Sequence, residues 1–208
     1  MEKPFDLLFT GGVVVTGHGM QAADVGVRGG KIAEVGRNLS AEGCQQVIDI
    51  SGKYLLPGVI DVHVHPVYLD DVEACSRVAA YGGTTTLIHF AYARKGESLL
   101  EQVSKMLEDA SRRSRLDFGL HGGMFDAPIQ VPEIREVMKL GVRTYKFFLT
   151  YLKQGWYTDD YQLIKAMDIL AENGGMAMVH AENGGGIDSV SYTHLRAHET
   201  PEHLVCRL

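Results

Sequence analysis

The stretch Gly58-Val-Ile-Asp-Val-His-Val-His65, opened by the turn Leu56-Pro57-Gly58, decides how this sequence folds. Its β-branched apolar residues predict a strand. Alternation along a strand puts Asp61, His63 and His65 on one face and the apolar residues on the other, where a helix can cover them. Two imidazoles at the end of a strand can begin a metal centre, although a lone His-x-His pair often does not.

Composition limits the classes of protein to which the chain can belong. It has 208 residues, 45% of them hydrophobic, which supports a proper core. A net charge of −6 predicts no binding to nucleic acid or to an anionic membrane. The cysteines, Cys44, Cys75 and Cys206, are far apart and indicate free thiols. With no apolar leader and no apolar run of transmembrane length, we expect a cytoplasmic protein.

Residues 1–57 predict a small antiparallel β unit. Glycine-containing turns at 11–12, 29–30 and 51–52 separate candidate strands at 6–10, 13–16, 23–27, 31–35 and 46–50. The segment contains no cluster of acids, bases or nucleophiles, so we expect a structural role for it.

From Gly58 onward, strands alternate with helical patterns. Strands are predicted at 58–65, 84–90, 117–124, 142–149 and 176–181, and helices at 69–81, 98–114, 131–140 and 158–172. Thr158 is the expected N-cap of the last helix, and Asn173-Gly174-Gly175 its end. Repeated β-then-α units imply a parallel sheet, and in a barrel the chemistry gathers at the C-terminal ends of the strands.

Two further nitrogen-bearing side chains fall at that rim. Lys146 lies late in the fourth strand, on the face opposite Tyr145 and Phe147, and His180 ends the fifth. An ammonium cannot bind a cation, so a lysine among metal ligands must be deprotonated or modified, and a carbamate would offer two oxygens. A barrel-lining lysine and a core histidine are the structural alternatives.

Four motifs carry a resemblance to a known family: GKYLLPGVIDVHVHP (52–66), YGGTTTLIHFA (81–91), YKFFLTY (145–151) and MVHAEN (178–183). They resemble the hydantoinase/dihydropyrimidinase family of the metal-dependent amidohydrolase superfamily. The resemblance implies an α/β fold with a (β/α)8 TIM-type barrel, incomplete here with about five strands, preceded by a small N-terminal β-sandwich portion. It divides the chain into a β-sandwich part (1–57), the first part of the barrel (58–188) and an aberrant tail (189–208).

The resemblance also implies site roles. His63 and His65 match the histidines that bind the more buried of two divalent ions, with zinc the expected metal. Lys146 matches the lysine that becomes carboxylated and bridges both ions, and His180 matches a ligand of the second. Tyr151 matches the tyrosine that donates to the carbonyl oxygen as it gains charge; an ordinary rim aromatic is the alternative.

The segment after the histidine pair narrows the expected substrate. Pro66-Val67-Tyr68 contains no arginine, and Tyr151 follows Lys146 by 5 residues. This pattern favours a hydrolase that opens a hydantoin or dihydropyrimidine ring to an N-carbamoyl amino acid, over an allantoinase or dihydroorotase. A non-catalytic scaffold relative is the other alternative, and the retained histidines and lysine speak against it. Relatives imply a homotetramer.

The expected site is incomplete. A TIM barrel needs about 250 residues, so the remaining histidine and aspartate ligands are expected to be missing and this chain to be an inactive fragment. The tail carries His194, His198 and His203 without a zincin spacing, and a frameshift, assembly junction or read-through is the expected origin. His89 stands where relatives usually have aspartate; a packed histidine is expected there. No role is assigned to His121.

Overall fold

The computed structural model of the protein describes residues 4–66 and 70–190. These residues form two compact units that divide between Gly58 and Val59. Residues 191–208, which make up most of the predicted aberrant tail, lie outside the described part. No helix within the described ranges is long and apolar enough to cross a membrane.

The first unit is a single five-stranded sheet. Its strands are β1 (Leu7–Thr16), β2 (Gly19–Arg28), β3 (Lys31–Gly36), β4 (Gln46–Asp49) and β5 (Tyr54–Leu55). The strand order is β3-β2-β1-β4, and β5 pairs with β1. The first three strands are antiparallel, but β4 and β5 run parallel to β1. The expectation of a purely antiparallel unit was therefore wrong, and the sheet is mixed.

The glycine pair Gly11-Gly12 does not end a strand, as the sequence suggested. It lies inside β1, where the register with β2 shifts between Phe9 and Gly12. Gly11 has a φ of 78°, and a Cβ on Gly12 would come within 2.5 Å of Ile50 Cδ1. Gly11 thus supplies the positive φ at the bulge, and Gly12 leaves room for the Ile50 side chain. Glycine serves both purposes here, as it would in a turn.

The second unit alternates strands and helices. Its strands are β6 (Val59–Val64), β7 (Thr84–Ala93), β8 (Asp117–Met124), β9 (Thr144–Phe148) and β10 (Met176–His180). Its helices are α1 (Val72–Tyr81), α2 (Leu99–Arg113), α3 (Ala127–Gln130), α4 (Ile134–Lys139), α5 (Asp160–Asn173) and α6 (Gly184–Val190). The described strand pairs are all parallel, and the order β10-β9-β8-β7-β6 follows the chain. Five parallel strands in chain order, connected mainly by helices, agree with an incomplete (β/α) barrel.

Two helix boundaries differ from the expected ones. The helix expected over 131–140 begins earlier, at Ala127, and a 3-10 turn at Val131–Glu133 divides it where Pro132 has no N–H to donate. The N-cap of α5 is Asp159, which accepts from the Gln162 N–H at 2.8 Å. Thr158 is buried instead and donates its own N–H to the Phe148 carbonyl.

The main core lies between the sheet and the helices. Tyr145 and Phe147 of β9 are fully buried there, as are Met124 of β8 and Leu99 of α2, and Leu120 of β8 is nearly so. We call this the helix face of the sheet. The other side, which carries Phe90, His121 and Lys146, is called the open face.

Candidate metal centre

The histidine pair lies on the open face at the C-terminal end of β6. The ring centroids of His63 and His65 are 4.9 Å apart, and each lies 4.7 Å from the centroid of Phe90 on β7. The two imidazoles therefore lie on the same face of the sheet, as predicted. Two ring nitrogen donors at this separation can approach one ion or two neighbouring ions.

Asp61 does not share that face, because β6 contains an irregularity. Asp61 pairs with Leu87 and Val64 pairs with His89, so β6 has one residue more than β7 between these pairs. Such a bulge reverses the alternation. Both partners on β7 are buried, Leu87 in the core and His89 beside it, which places Asp61 toward the helix face. The Asp61 carboxylate accepts from the His63 backbone N–H at 3.0 Å.

Tyr92 supports the ring of His65. Its hydroxyl lies 3.1 Å from His65 Nδ1, and the two rings stack with centroids 5.8 Å apart. Burial lowers the pKa of His65, and nearby positive groups, His63 first, lower it further. A hydrogen bond at one ring nitrogen fixes the orientation of an imidazole ligand. Sequence reasoning missed Tyr92, although alternation from Phe90 would have placed it on the open face.

Lys146 lies on the open face between the two histidine-bearing edges of the sheet. Its Nζ is 5.3 Å from the centroid of the Phe148 ring, and no carboxylate pairs with it among the residues that the structure describes. Burial lowers the pKa of Lys146. Desolvation without a negative partner favours the neutral amine, which is the form that reacts with carbon dioxide to give a carbamate.

His180 and Tyr151 form a second group at the end of β10. Their ring centroids are 5.4 Å apart, and both rings lie near Phe148, at 6.0 Å and 5.7 Å. His180 Nε2 donates to a Glu182 carboxylate oxygen at 2.6 Å, and this bond orients the imidazole ring. Tyr151 has a φ of 64°, a strained conformation for a non-glycine residue that recurs at functional sites.

The structure thus brings the expected residues into two groups joined by Phe148. His63, His65 and Lys146 form one group, and His180 with Tyr151 forms the other. Among the described residues, no three His, Cys, Asp or Glu side chains form a metal cluster. The fit to metal therefore depends on Lys146: as a carbamate it would add oxygen donors to the imidazoles, a donor set suited to zinc.

Two other histidines lie in neighbouring strands. His89 is fully buried, and neither ring nitrogen has a hydrogen-bond partner among the residues that the structure describes. Burial lowers its pKa, and the Asp61 carboxylate opposes the shift. His89 is thus a packed histidine, as expected. His121, to which the sequence assigned no role, lies on the open face with its ring centroid 4.7 Å from that of Phe90.

A row of stacked aromatic rings continues from the histidine pair along the C-terminal rim. Tyr92 stacks on Phe125 at 4.9 Å between centroids, and Phe125 stacks on Trp156 at 4.3 Å. The rings come from strand ends and loops that are far apart in sequence, so no local pattern in the sequence shows the row. It forms an apolar wall beside the candidate ligands.

Comparison with known proteins finds relatives that are hydantoinases and dihydropyrimidinases. The chain is 37% identical over 191 residues to a D-hydantoinase from Rhizobium radiobacter, covering 88% of this chain and 41% of the relative. It is 34% identical over 191 residues to a dihydropyrimidinase from Rattus norvegicus, covering 86% of this chain and 37% of the relative. The chain therefore spans about two fifths of the length of these curated relatives. No family model matches the sequence.

Solved structures agree with these relatives. A D-hydantoinase structure superimposes with a TM-score of 0.85 at 32% identity, covering 94% of this chain and 44% of that one. The L-hydantoinase (dihydropyrimidinase) from Arthrobacter aurescens gives a TM-score of 0.83 at 29% identity, covering 93% of this chain and 44% of that one. The similarity thus extends over both units of the chain.

Proposed function

Because this chain belongs to the hydantoinase and dihydropyrimidinase family, we propose that it carries part of the active site of a cyclic amide hydrolase. The reaction opens a hydantoin or dihydropyrimidine ring to an N-carbamoyl amino acid. The observation that supports this proposal best is the placement of His63, His65 and a half-buried Lys146 on one face, where Lys146 has no carboxylate partner among the described residues. A scaffold protein would have no need to keep such a lysine on the same face as two imidazoles.

The proposed ion-binding residues are His63 and His65 for one divalent ion and His180 for a second, with zinc as the proposed metal. A carboxylated Lys146 would be a ligand of both ions. When bound, such a pair of ions supplies a water of lowered pKa and polarises an amide carbonyl. Lys146 acquires its carbamate when its neutral amine adds carbon dioxide, forming a C–N bond and releasing one proton.

The protein's own groups position the substrate and the ligands. Tyr92 holds the His65 ring through its Nδ1 atom. Tyr151 donates a hydrogen bond to the carbonyl oxygen as negative charge develops there. Glu182, which accepts from His180 Nε2, would orient that ring and leave Nδ1 to hold the second ion. The aromatic wall excludes water from one side of the site.

The finer structural expectations are part of the same proposal. We propose that the parallel sheet belongs to an eight-stranded barrel and that the N-terminal sheet belongs to a β-sandwich. The superposition on hydantoinases over both units supports this. A homotetramer and a cytoplasmic location are proposed as well; the free thiols of Cys44 and Cys75 agree with a reducing compartment.

A chimera tests the proposed activity. Residues 1–188 joined to the remaining strands of the Rhizobium radiobacter relative should bind two zinc ions and hydrolyse dihydrouracil or hydantoin. Lys146→Ala should lower the rate by more than about a hundredfold, the upper end of what changes around a ligand cost. The surface variant Lys139→Ala, whose lysine pairs with Glu136, should leave the rate unchanged.

Three outcomes would overturn or redirect the proposal. Full zinc loading without turnover of any cyclic amide would favour the scaffold alternative. Preference for allantoin or dihydroorotate would place the protein with those hydrolases. A Lys146→Ala chimera as active as its parent would remove the lysine from the mechanism.

A further inference from the structure

His121 connects two of the strands that carry proposed ligands, β6 and β9. It lies on β8 and is 5% exposed. Its Nε2 is 2.8 Å from the Val62 carbonyl oxygen of β6, and its Nδ1 hydrogen-bonds with the Thr144 hydroxyl of β9. Val62 directly precedes His63, and Thr144 lies two residues before Lys146. A single imidazole thus spans from the histidine strand to the lysine strand.

The bulge in β6 explains why the Val62 carbonyl can accept this bond. The pairing of β6 with β7 skips Val62 and His63, since the register shifts between Asp61 and Val64. A bulge leaves backbone groups outside the regular ladder, and these groups need other partners. The same irregularity that turns His63 toward the open face therefore leaves a carbonyl for His121.

The two hydrogen bonds select one form of the His121 ring. A carbonyl oxygen only accepts, so Nε2 must carry the proton that it donates to Val62. In the neutral ring, Nδ1 then accepts from the Thr144 hydroxyl. Burial lowers the pKa of His121 and agrees with this neutral form. Both polar atoms of the ring are satisfied only while β6 and β9 keep their present separation.

We propose that His121 is a positioning residue, which sets the distance between the histidine pair on β6 and Lys146 on β9 and thereby the metal affinity of the site. The inference rests on the proposed function in that it assigns these groups to a metal. It goes beyond that function in assigning a task to a residue that touches neither ion nor substrate. Changes in the groups that orient metal ligands typically cost about 10–100-fold in metal affinity.

His89 provides a matched control. It is also a buried histidine, on the adjacent strand β7, but it faces the helices, and its ring nitrogens have no hydrogen-bond partner within the described part of the chain. Replacing either histidine by leucine removes an imidazole from the interior of the same sheet. Only the change at His121 removes a connection between β6 and β9.

The experiment measures zinc affinity in the full chain by competition with a chromogenic chelator. His121→Leu and Thr144→Val should each weaken binding by about 10–100-fold. His121→Gln, whose amide can still donate to a carbonyl and accept from a hydroxyl, and Thr144→Ser should recover most of the affinity. His89→Leu should stay within about twofold of the wild-type chain.

Hydrogen exchange of the backbone amides gives a second measurement that needs no metal. The amides of β6 and β9 should exchange faster in His121→Leu than in His89→Leu, while those of α2 should be equal in both. Equal losses of affinity in the two leucine variants, or unchanged exchange and affinity in His121→Leu, would overturn the positioning role. If neither the wild-type chain nor the chimera binds zinc, the proposed metal centre fails, and the exchange rates alone decide whether His121 holds the two strands.

Discussion

The two faces of the parallel sheet differ in what their side chains contact. On the helix face, Tyr145 and Phe147 are fully buried among aliphatic side chains from α2, α4 and α5. On the open face, the neighbouring residues of the same strand, Thr144 and Lys146, lie beside imidazoles and aromatic rings. Along this one strand, residues that stabilise the core therefore alternate with residues that face the candidate metal centre.

The two buried histidines show what this difference means for a single residue type. His121 on the open face has a partner for each ring nitrogen. His89 on the helix face has a partner for neither nitrogen among residues 4–66 and 70–190. The residue type therefore does not reveal the role of a histidine in this sheet; the face that it occupies does.

The largest effect that tests the difference between the helix face and the open face is on the free energy of unfolding. Phe147→Ala should lower the free energy of unfolding by about 3–5 kcal/mol, because it leaves a cavity in the packed core. Lys146→Met, at the neighbouring position, should lower the free energy of unfolding by less than about 1 kcal/mol, because an apolar side chain of similar size replaces a desolvated amine. Urea denaturation followed by circular dichroism measures both. A comparable loss in both variants would contradict the division of tasks between the faces.

A substitution at Gly123 of β8, with Gly119 of the same strand as its control, gives a second test with a smaller expected effect. A Cβ on Gly123 would lie 2.2 Å from Tyr92 Cδ1, so Gly123→Ala must displace the ring that holds His65. We expect a loss of about 1–3 kcal/mol, typical of overpacking, and a changed ring-nitrogen signal of His65 in the NMR spectrum.

Gly119→Ala on the same strand is the control. There the nearest atom, Ile88 Cγ2, is 3.6 Å away, which is an ordinary contact. This change should be neutral or should stabilise by up to about 1 kcal/mol through the unfolded chain. If Gly119→Ala destabilised the chain as much as Gly123→Ala, then crowding against Tyr92 would not be the cause.

Much of this arrangement follows from sequence periodicity. The alternation of strands and helices predicted the parallel sheet, and the period of two placed Tyr145 and Phe147 opposite Lys146. These are local properties, since each depends on residues within one element. The family resemblance of the four motifs was confirmed by relatives that match 86–88% of the chain.

Two of the errors involve the register between neighbouring strands. The bulge that turns Asp61 away from His63, and the bulge at Gly11-Gly12, each depend on one extra residue relative to a neighbouring strand. The sequence of a single strand does not show whether it has one residue more than the neighbouring strand. The bonds of Tyr92 with His65 and of His121 with Val62 join residues 27 and 59 positions apart, so they appear only when the strands are aligned.

The smallest predicted effect concerns the response of stability to pH. Burial holds the pKa of folded His89 below the ordinary value of about 6.5. As the pH falls below that value, the unfolded chain takes up a proton before the folded chain does, so the free energy of unfolding decreases. His89→Leu removes this contribution, and its unfolding free energy should fall less steeply than that of the wild type between pH 7 and pH 5. Urea denaturation at several pH values measures the slope. Equal slopes would mean that His89 takes up its proton as readily in the folded chain as in the unfolded one, and the helix face would then be less closed to water than its packing indicates.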